Sequence, residues 1–258
     1  MISIESVSKI FGGVHAVNDC SFQIKSGQIT GLIGPNGAGK TTLFNTIAGV
    51  YKPTTGRITL DGEDITGMPP HKLFHKGLVR TFQIPNELKR MSTLENLMLV
   101  PKEQLGESLW QSWTSWVQVT NREREVKSKA EEILEFLQLS HVKDEIAGNL
   151  SGGQKKLLEL GRSMMTDPKV VLLDEPAAGV NRTLLEKLSQ MIVRLNQEQG
   201  YTFCIIEHDM DMIAKLCSPI IVMAEGSVMA QGSMEEIKSN EAILEAYLGR
   251  TFNEKDAP

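Results

Sequence analysis

Apolar positions along this chain follow two rhythms. Near the start, ISIESVSKIF and CSFQI alternate apolar with polar residues between turn signals, and KSGQ then leads into the apolar run ITGLI. That pattern predicts a small β layer feeding a buried strand. From Pro85 to Asn149 the chain turns helical and charged, and REREVKSKAEEILEFLQL is its clearest amphipathic stretch, so a helical insertion is expected. Beyond it, VVLLDE, YTFCIIEH and PIIVMAEG are near-continuous apolar runs separated by helical stretches such as TLLEKLSQMIVRLNQ. Strands apolar on both faces that alternate with helices predict a parallel sheet covered on both sides. The closing FNEKDAP reads as a frayed tail.

Composition narrows the setting. A chain of 258 residues with 41% hydrophobic residues suits one large domain, or a core with a subdomain. The net charge of -5 disfavours nucleic acid as a partner, because binders of phosphate backbones carry a basic surplus. Cys20, Cys204 and Cys217 are odd in number and lack CxxC spacing, which fits reduced, buried thiols of a cytosolic protein. The N-terminal stretch has no signal-peptide block, and no run reaches the ~20 apolar residues that span a bilayer. Membrane contact is therefore expected through a partner.

Three motifs carry chemistry. After ITGLI comes GPNGAGKTT, which fits GxxxxGKT between a strand and the helical run TLFNTIAGV. Gly34, Pro35, Asn36, Gly37, Ala38, Gly39, Lys40, Thr41 and Thr42 form a phosphate-cradling loop: successive N–H groups curl round phosphate oxygens, Lys40 adds a point charge, and the Thr41 hydroxyl reaches Mg²⁺. VVLLDE delivers Asp174 and Glu175 to a strand end. Consecutive strand residues point opposite ways, so Asp174 is assigned to Mg²⁺ and Glu175 to the attacking water. TFCII likewise ends in Glu207 and His208, and His208 is placed to hydrogen-bond a γ-phosphate. His15, His71, His75 and His141 lack such a setting. In LSGGQ, Ser151 reads as the N-cap of the helix KKLLELGRSMM. Gly152 and Gly153 would bare the helix start to an anion, with Gln154 completing the motif.

Taken together, these residues resemble the nucleotide-binding subunit of ABC transporters. GPNGAGKTT matches Walker A, Gln83 in RTFQ the Q-loop, LSGGQ the signature, VVLLDE Walker B, and His208 the switch histidine, in the family's order over nearly the whole chain. The resemblance implies an α/β fold with a RecA-like P-loop core, an N-terminal antiparallel β layer and a helical subdomain. It divides the chain into residues 1–84 (β layer and P-loop half), 85–158 (helical subdomain ending in the signature), 159–228 (second half of the core) and 229–258 (C-terminal helical segment and tail). It further implies an ATPase using ATP and Mg²⁺, with Glu175, His208, Gln83 and Lys40 catalytic and Thr41, Gln83 and Asp174 around the metal. Ser151, Gly152, Gly153 and Gln154 would cap the γ-phosphate of a second ATP-binding subunit, identical or paralogous, in a head-to-tail dimer. Two transmembrane permease subunits and, indirectly, a substrate-binding protein are the implied partners, at the cytoplasmic face of the inner membrane.

FGGVHAVND, GLVRTFQ, LENLMLVP, EPAAGVN, IIEHDMDMI and AILEAYLG are similar to the LivG-like ATP-binding subunits of branched-chain or hydrophobic amino-acid importers. Urea or lipid transport by the same class of cassette stays open, because cargo chemistry lies in other subunits. A GTP-dependent switch lacks an NKxD motif, and a DNA-repair or translation ATPase lacks its long heptads or second cassette. Phe11 stands where the family stacks adenine, although a phenylalanine in an alternating strand also suits a core. Asn181 replaces the aspartate common in the family's D-loop. Ile84, Leu88, Met91 and Leu94 either line a permease groove or anchor the insertion. The same choice holds for LWQSWTSWV, in which Leu109, Trp113 and Trp116 share a helical face beside Trp110 and Val117.

Overall fold

A computed structural model describes residues 1–81, 87–101 and 116–240. In chain order the elements are β1 (Ile2–Phe11), β2 (Val14–Ile24), β3 (Ile29–Ile33), α1 (Lys40–Ile47), β4 (Thr55–Leu60), β5 (Glu63–Asp64), α2 (Pro70–His75), β6 (Leu78–Arg80), α3 (Thr93–Met98), α4 (Trp116–Phe136), α5 (Gly152–Met164), β7 (Val170–Asp174), α6 (Arg182–Gln199), β8 (Thr202–Ile206), α7 (Met210–Leu216), β9 (Ile220–Ala224), β10 (Ser227–Gly232) and α8 (Met234–Ser239). The chain divides into two compact units, Met1–Arg80 with Lys169–Ala178 and Ser189–Pro258, and Thr81–Pro168 with Gly179–Leu188.

The first unit holds two sheets. One is antiparallel, in the order β2-β1-β4-β5, built from the alternating N-terminal runs. The other runs β10-β9-β3-β8-β7-β6, parallel throughout except for the antiparallel β9–β10 pair at one edge. Every residue of β3, β7 and β8 is buried. That is why their sequences lack alternation: helices or the second sheet cover both faces, and polar positions have nowhere to face water. Ile2, Ile4, Val7 and Phe22 of the small sheet share one cluster with Leu32, Phe44, Leu172 and Ile206, so the two sheets enclose a common core. An α/β fold with an antiparallel β layer is thus what the chain forms.

The second unit is helical. Leu97 of α3, Ile133, Leu134 and Leu137 of α4 and its end, and Leu157, Leu158 and Leu160 of α5 are all buried, the amphipathic faces legible in the charged segment. Gly161 lets α5 approach them: a Cβ there would lie 2.7 Å from Leu137 and 3.2 Å from Ile133. Leu94 belongs to this core, Met91 is half-buried and Leu88 is exposed, so burial divides the proposed groove residues. Ile84, Leu109, Trp110 and Trp113 lie outside the described residues, as do the side chains of Trp116 and Val117.

Candidate nucleotide site

Strands β3, β8 and β7 are adjacent and parallel, with Leu32, Ile206 and Asp174 in register, so the segments that follow them leave the sheet on one edge. In open α/β sheets that edge is where ligands bind. The residues singled out from GPNGAGKTT, VVLLDE and the EH pair all arrive there because three buried strands end together.

The loop after β3 is shaped by close approaches of its own backbone. Gly34 has φ 155° and Gly39 φ 90°; a Cβ on the first would lie 2.2 Å from the Met223 carbonyl oxygen, and on the second 2.2 Å from that of Ala16. Only glycine fits either place. Gly39 is also the left-handed N-cap residue of α1, with no side chain to cover the first amides of the helix. Ala38 N–H donates to the Pro35 carbonyl at 3.2 Å, closing the turn, while Asn36 and Gly37 face solvent. Lys40, buried, donates through Nζ to the carbonyls of Gly34 at 2.7 Å and Pro35 at 3.0 Å. Burial lowers its pKa, and the charges of Glu175 and Asp174 oppose that shift. Thr41 is exposed in the first turn of α1 and Thr42 is half-buried behind it.

Asp174 and Glu175 have separate surroundings. Asp174, the last residue of β7, is buried, and its Oδ2 accepts from Arg80 Nη2 at 2.7 Å; the same guanidinium donates through Nη1 to Asn45 Oδ1 on α1. One arginine at the end of β6 thereby ties the edge strand, the phosphate-loop helix and the strand-end carboxylate. Glu175 takes a left-handed backbone, φ 49°, its N–H donating to the Ile206 carbonyl at 2.9 Å. Its Oε1 lies 3.1 Å from His208 Nε2, within hydrogen-bond distance. Sequence reasoning missed Arg80 and Asn45 and gave Glu207 no role. Arg80 and Asp174 are 94 residues apart, and only the β6–β7 pairing brings them together.

Phe11 is 42% exposed and no part of the core. Its ring meets Tyr51 edge-on at 5.2 Å, and Lys9 Nζ lies 4.9 Å above it, anchored to the Lys52 carbonyl. In the second unit Ser151 caps α5 as its sequence predicts: its hydroxyl accepts from Gln154 N–H at 3.3 Å, and Gln154 Oε1 accepts from Ser151 N–H at 2.9 Å. Such a reciprocal box satisfies two otherwise orphaned amides. Gly152 is open, with nothing within 4 Å of a Cβ, whereas a Cβ on Gly153 would collide with the Leu184 side chain. Asn181 caps α6, its Oδ1 accepting from Leu184 N–H at 2.9 Å, a role that needs no charge. Gln83 lies outside the described residues.

A glycine loop on a helix start, a buried lysine, and an Asp–Glu pair and a histidine on the same sheet edge define a P-loop nucleotide-binding protein. The chain belongs to the ABC transporter family, whose model matches residues 17–178. It is 44% identical over 255 residues, 98% of this chain and 97% of the other, to a probable branched-chain amino acid transport ATP-binding protein LivG of Archaeoglobus fulgidus. It is 39% identical to the high-affinity branched-chain amino acid transport ATP-binding protein BraF of Pseudomonas aeruginosa, with 96% of this chain and 98% of that one covered. A crystal structure of the ADP conformation of an ATP-binding cassette of an ABC transporter superposes with a TM-score of 0.82 at 40% identity, covering 96% of this chain and 98% of that chain. The chain is therefore an ATP-binding cassette, the ATPase of such a transporter.

Proposed function

We propose that this ATPase powers uptake of branched-chain or other hydrophobic amino acids through a separate permease. The cargo rests on the relatives' names and their full-length match. The chemistry rests on one observation, the Lys40, Asp174, Glu175 and His208 constellation on a single sheet edge. The loop of Gly34 to Thr42 wraps the phosphates, and Lys40 exchanges its carbonyl partners for phosphate oxygens. Phe11 offers its exposed face to adenine. Thr41 and Asp174 supply hard oxygens, one hydroxyl and one carboxylate, a donor set that suits Mg²⁺ completed by phosphate and water. When bound, the ion neutralises charge on the β- and γ-phosphates. Glu175 accepts a hydrogen bond from the attacking water and turns it toward the γ-phosphorus, and His208 holds the γ-phosphate oxygen. Gln83 is assigned to the ion and the water by its place in RTFQ.

The capped, exposed start of α5 suits the partner's γ-phosphate, so two chains docked head to tail would bury two ATP molecules. ATP favours closure because each nucleotide touches both chains only in the closed pair. Among the described residues no helix is long and apolar enough to cross a membrane. Membership of the ABC transporter family supports docking against two permease subunits at the cytoplasmic face. Of Ile84, Leu88, Met91 and Leu94, the residues read from the sequence as a possible groove, Leu88 is the exposed one among those described. The test of cargo is uptake in vesicles carrying the co-purified permease. ATP-driven leucine accumulation that stops in Lys40→Ala supports the reading; accumulation of urea without leucine overturns the cargo and leaves the ATPase standing.

A further inference from the structure

Glu207 ends β8 with its side chain in the interior and 3% of the residue exposed. A buried carboxylate ordinarily finds a cation, because an isolated charge away from water is costly. Among the described residues no basic side chain forms an ion pair with Glu207. Both its oxygens go instead to main-chain amides: Oε1 accepts from Ala177 N–H, and Oε2 from His208 N–H at 3.0 Å and Asp209 N–H at 3.5 Å. Those amides belong to different segments. Ala177 lies in the turn after β7, closed by Ala178 N–H donating to the Glu175 carbonyl at 3.0 Å, and His208 and Asp209 open the turn after β8.

We infer that Glu207 is a positioning residue, whose single carboxylate joins the turn carrying Glu175 to the turn carrying His208 and fixes the distance between the attacking-water acceptor and the γ-phosphate ligand. This inference rests on the roles proposed above for those two residues. Other links between the turns include the main-chain bond from Glu175 N–H to the Ile206 carbonyl and the Glu175–His208 pair, whose histidine side chain is 41% exposed. The pair must part when water and phosphate claim its two members. The carboxylate link is buried, engages no catalytic atom and survives that exchange, so the turns stay registered through the reaction.

Glu207→Gln discriminates the role. An amide has one acceptor oxygen and one NH₂ donor, so whichever way it is turned a main-chain N–H faces a donor and one turn is released. The full chain is compared with the variant by amide hydrogen exchange over residues 175–180 and 207–212, and by steady-state ATPase assay. Exchange at Ala177 or at His208 should quicken about tenfold, and kcat should fall about tenfold with KM for ATP nearly unchanged, the signature of a step after binding. If Glu207→Gln does not fold, Glu207→Asp serves: the shorter side chain keeps the adjacent amides and loses Ala177. Unchanged exchange at both turns overturns the anchor, and faster exchange with undiminished turnover overturns its bearing on catalysis. Glu175→Gln assayed in parallel separates the two readings, since an active Glu175→Gln removes the catalytic assignment while the exchange arm still decides the anchor.

Discussion

Asp174 and Glu175 are neighbours in sequence, yet one faces Arg80 inside the sheet edge and the other meets His208 where β7 has already turned left-handed. Their chemistry should part accordingly. Glu175→Gln keeps one acceptor oxygen but removes the carboxylate charge and basicity that draw on the water, while leaving the phosphate loop intact, so ATP binding should persist and turnover should fall by about a hundredfold or more. Parallel measurement of ATPase rate and of dimer mass with ATP checks it, and near-normal turnover would take Glu175 out of the reaction. Arg80→Met leaves the Asp174 carboxylate buried without its cation, and breaking such a pair costs about 3–5 kcal/mol. A lower midpoint in guanidinium with an unchanged slope is the expected outcome, with partial recovery in Arg80→Met/Asp174→Asn because the stranded charge is then gone. A midpoint unaffected by Arg80→Met would mean that Asn45 and the surroundings, not the guanidinium, keep Asp174 in place.

Among elements, the start of α5 shows which interactions a sequence discloses. The Ser151–Gln154 box spans three residues, so Ser-Gly-Gly-Gln followed by an apolar helical pattern suffices to foresee it. The all-apolar β3, β7 and β8 disclose burial on both faces for the same local reason. Arg80 on the three-residue β6 gave no such signal, because its meaning depends on sheet order, and the Ala177 contact of Glu207 crosses 30 residues. The two signature glycines illustrate the difference. Sequence reading gave both the same purpose, but of the two only Gly152 is open, while Gly153 accommodates Leu184 from the start of α6, which lies in the same unit. Gly152→Ala should therefore leave stability unchanged or raise it by about 0.5 kcal/mol. Gly153→Ala should be about 1 kcal/mol less stable than Gly152→Ala, because Leu184 must turn out of its place. Guanidinium unfolding of both variants measures the difference, and Leu184→Ala in the Gly153→Ala background should abolish it. Equal stabilities would show that Leu184 yields without cost.

At the scale of the whole molecule, the phosphate loop and the signature helix belong to different compact units of one chain, and the proposed reaction uses each toward a different copy of the other. Lys40→Ala strips the cation from the phosphate loop, so nucleotide binding should be lost. Ser151→Arg places a bulky charge at the exposed start of α5 and should spare binding while blocking turnover. Mixing the two variants then distinguishes the arrangements. If each site joins one chain's loop to the other chain's signature, a mixed dimer contains one site with both defects and one with neither, and hydrolysis should return. With random pairing of equal amounts, about half of the dimers are mixed and each carries one of two sites, so activity near one quarter of wild type is expected if the sites work independently. If loop and signature served the same site within one chain, every site would keep one defect and the mixture would stay as inactive as its parts. The assay is run with the permease present, because in the proposed assembly it holds the two cassettes together and makes the mixed dimer the species measured. Recovery that depends on mixing, rises to a maximum near equal ratio and disappears with a Lys40→Ala/Ser151→Arg chain in place of either partner would establish the shared site. Failure of any mixture to exceed its components would remove the proposed capping role of Ser151, Gly152, Gly153 and Gln154.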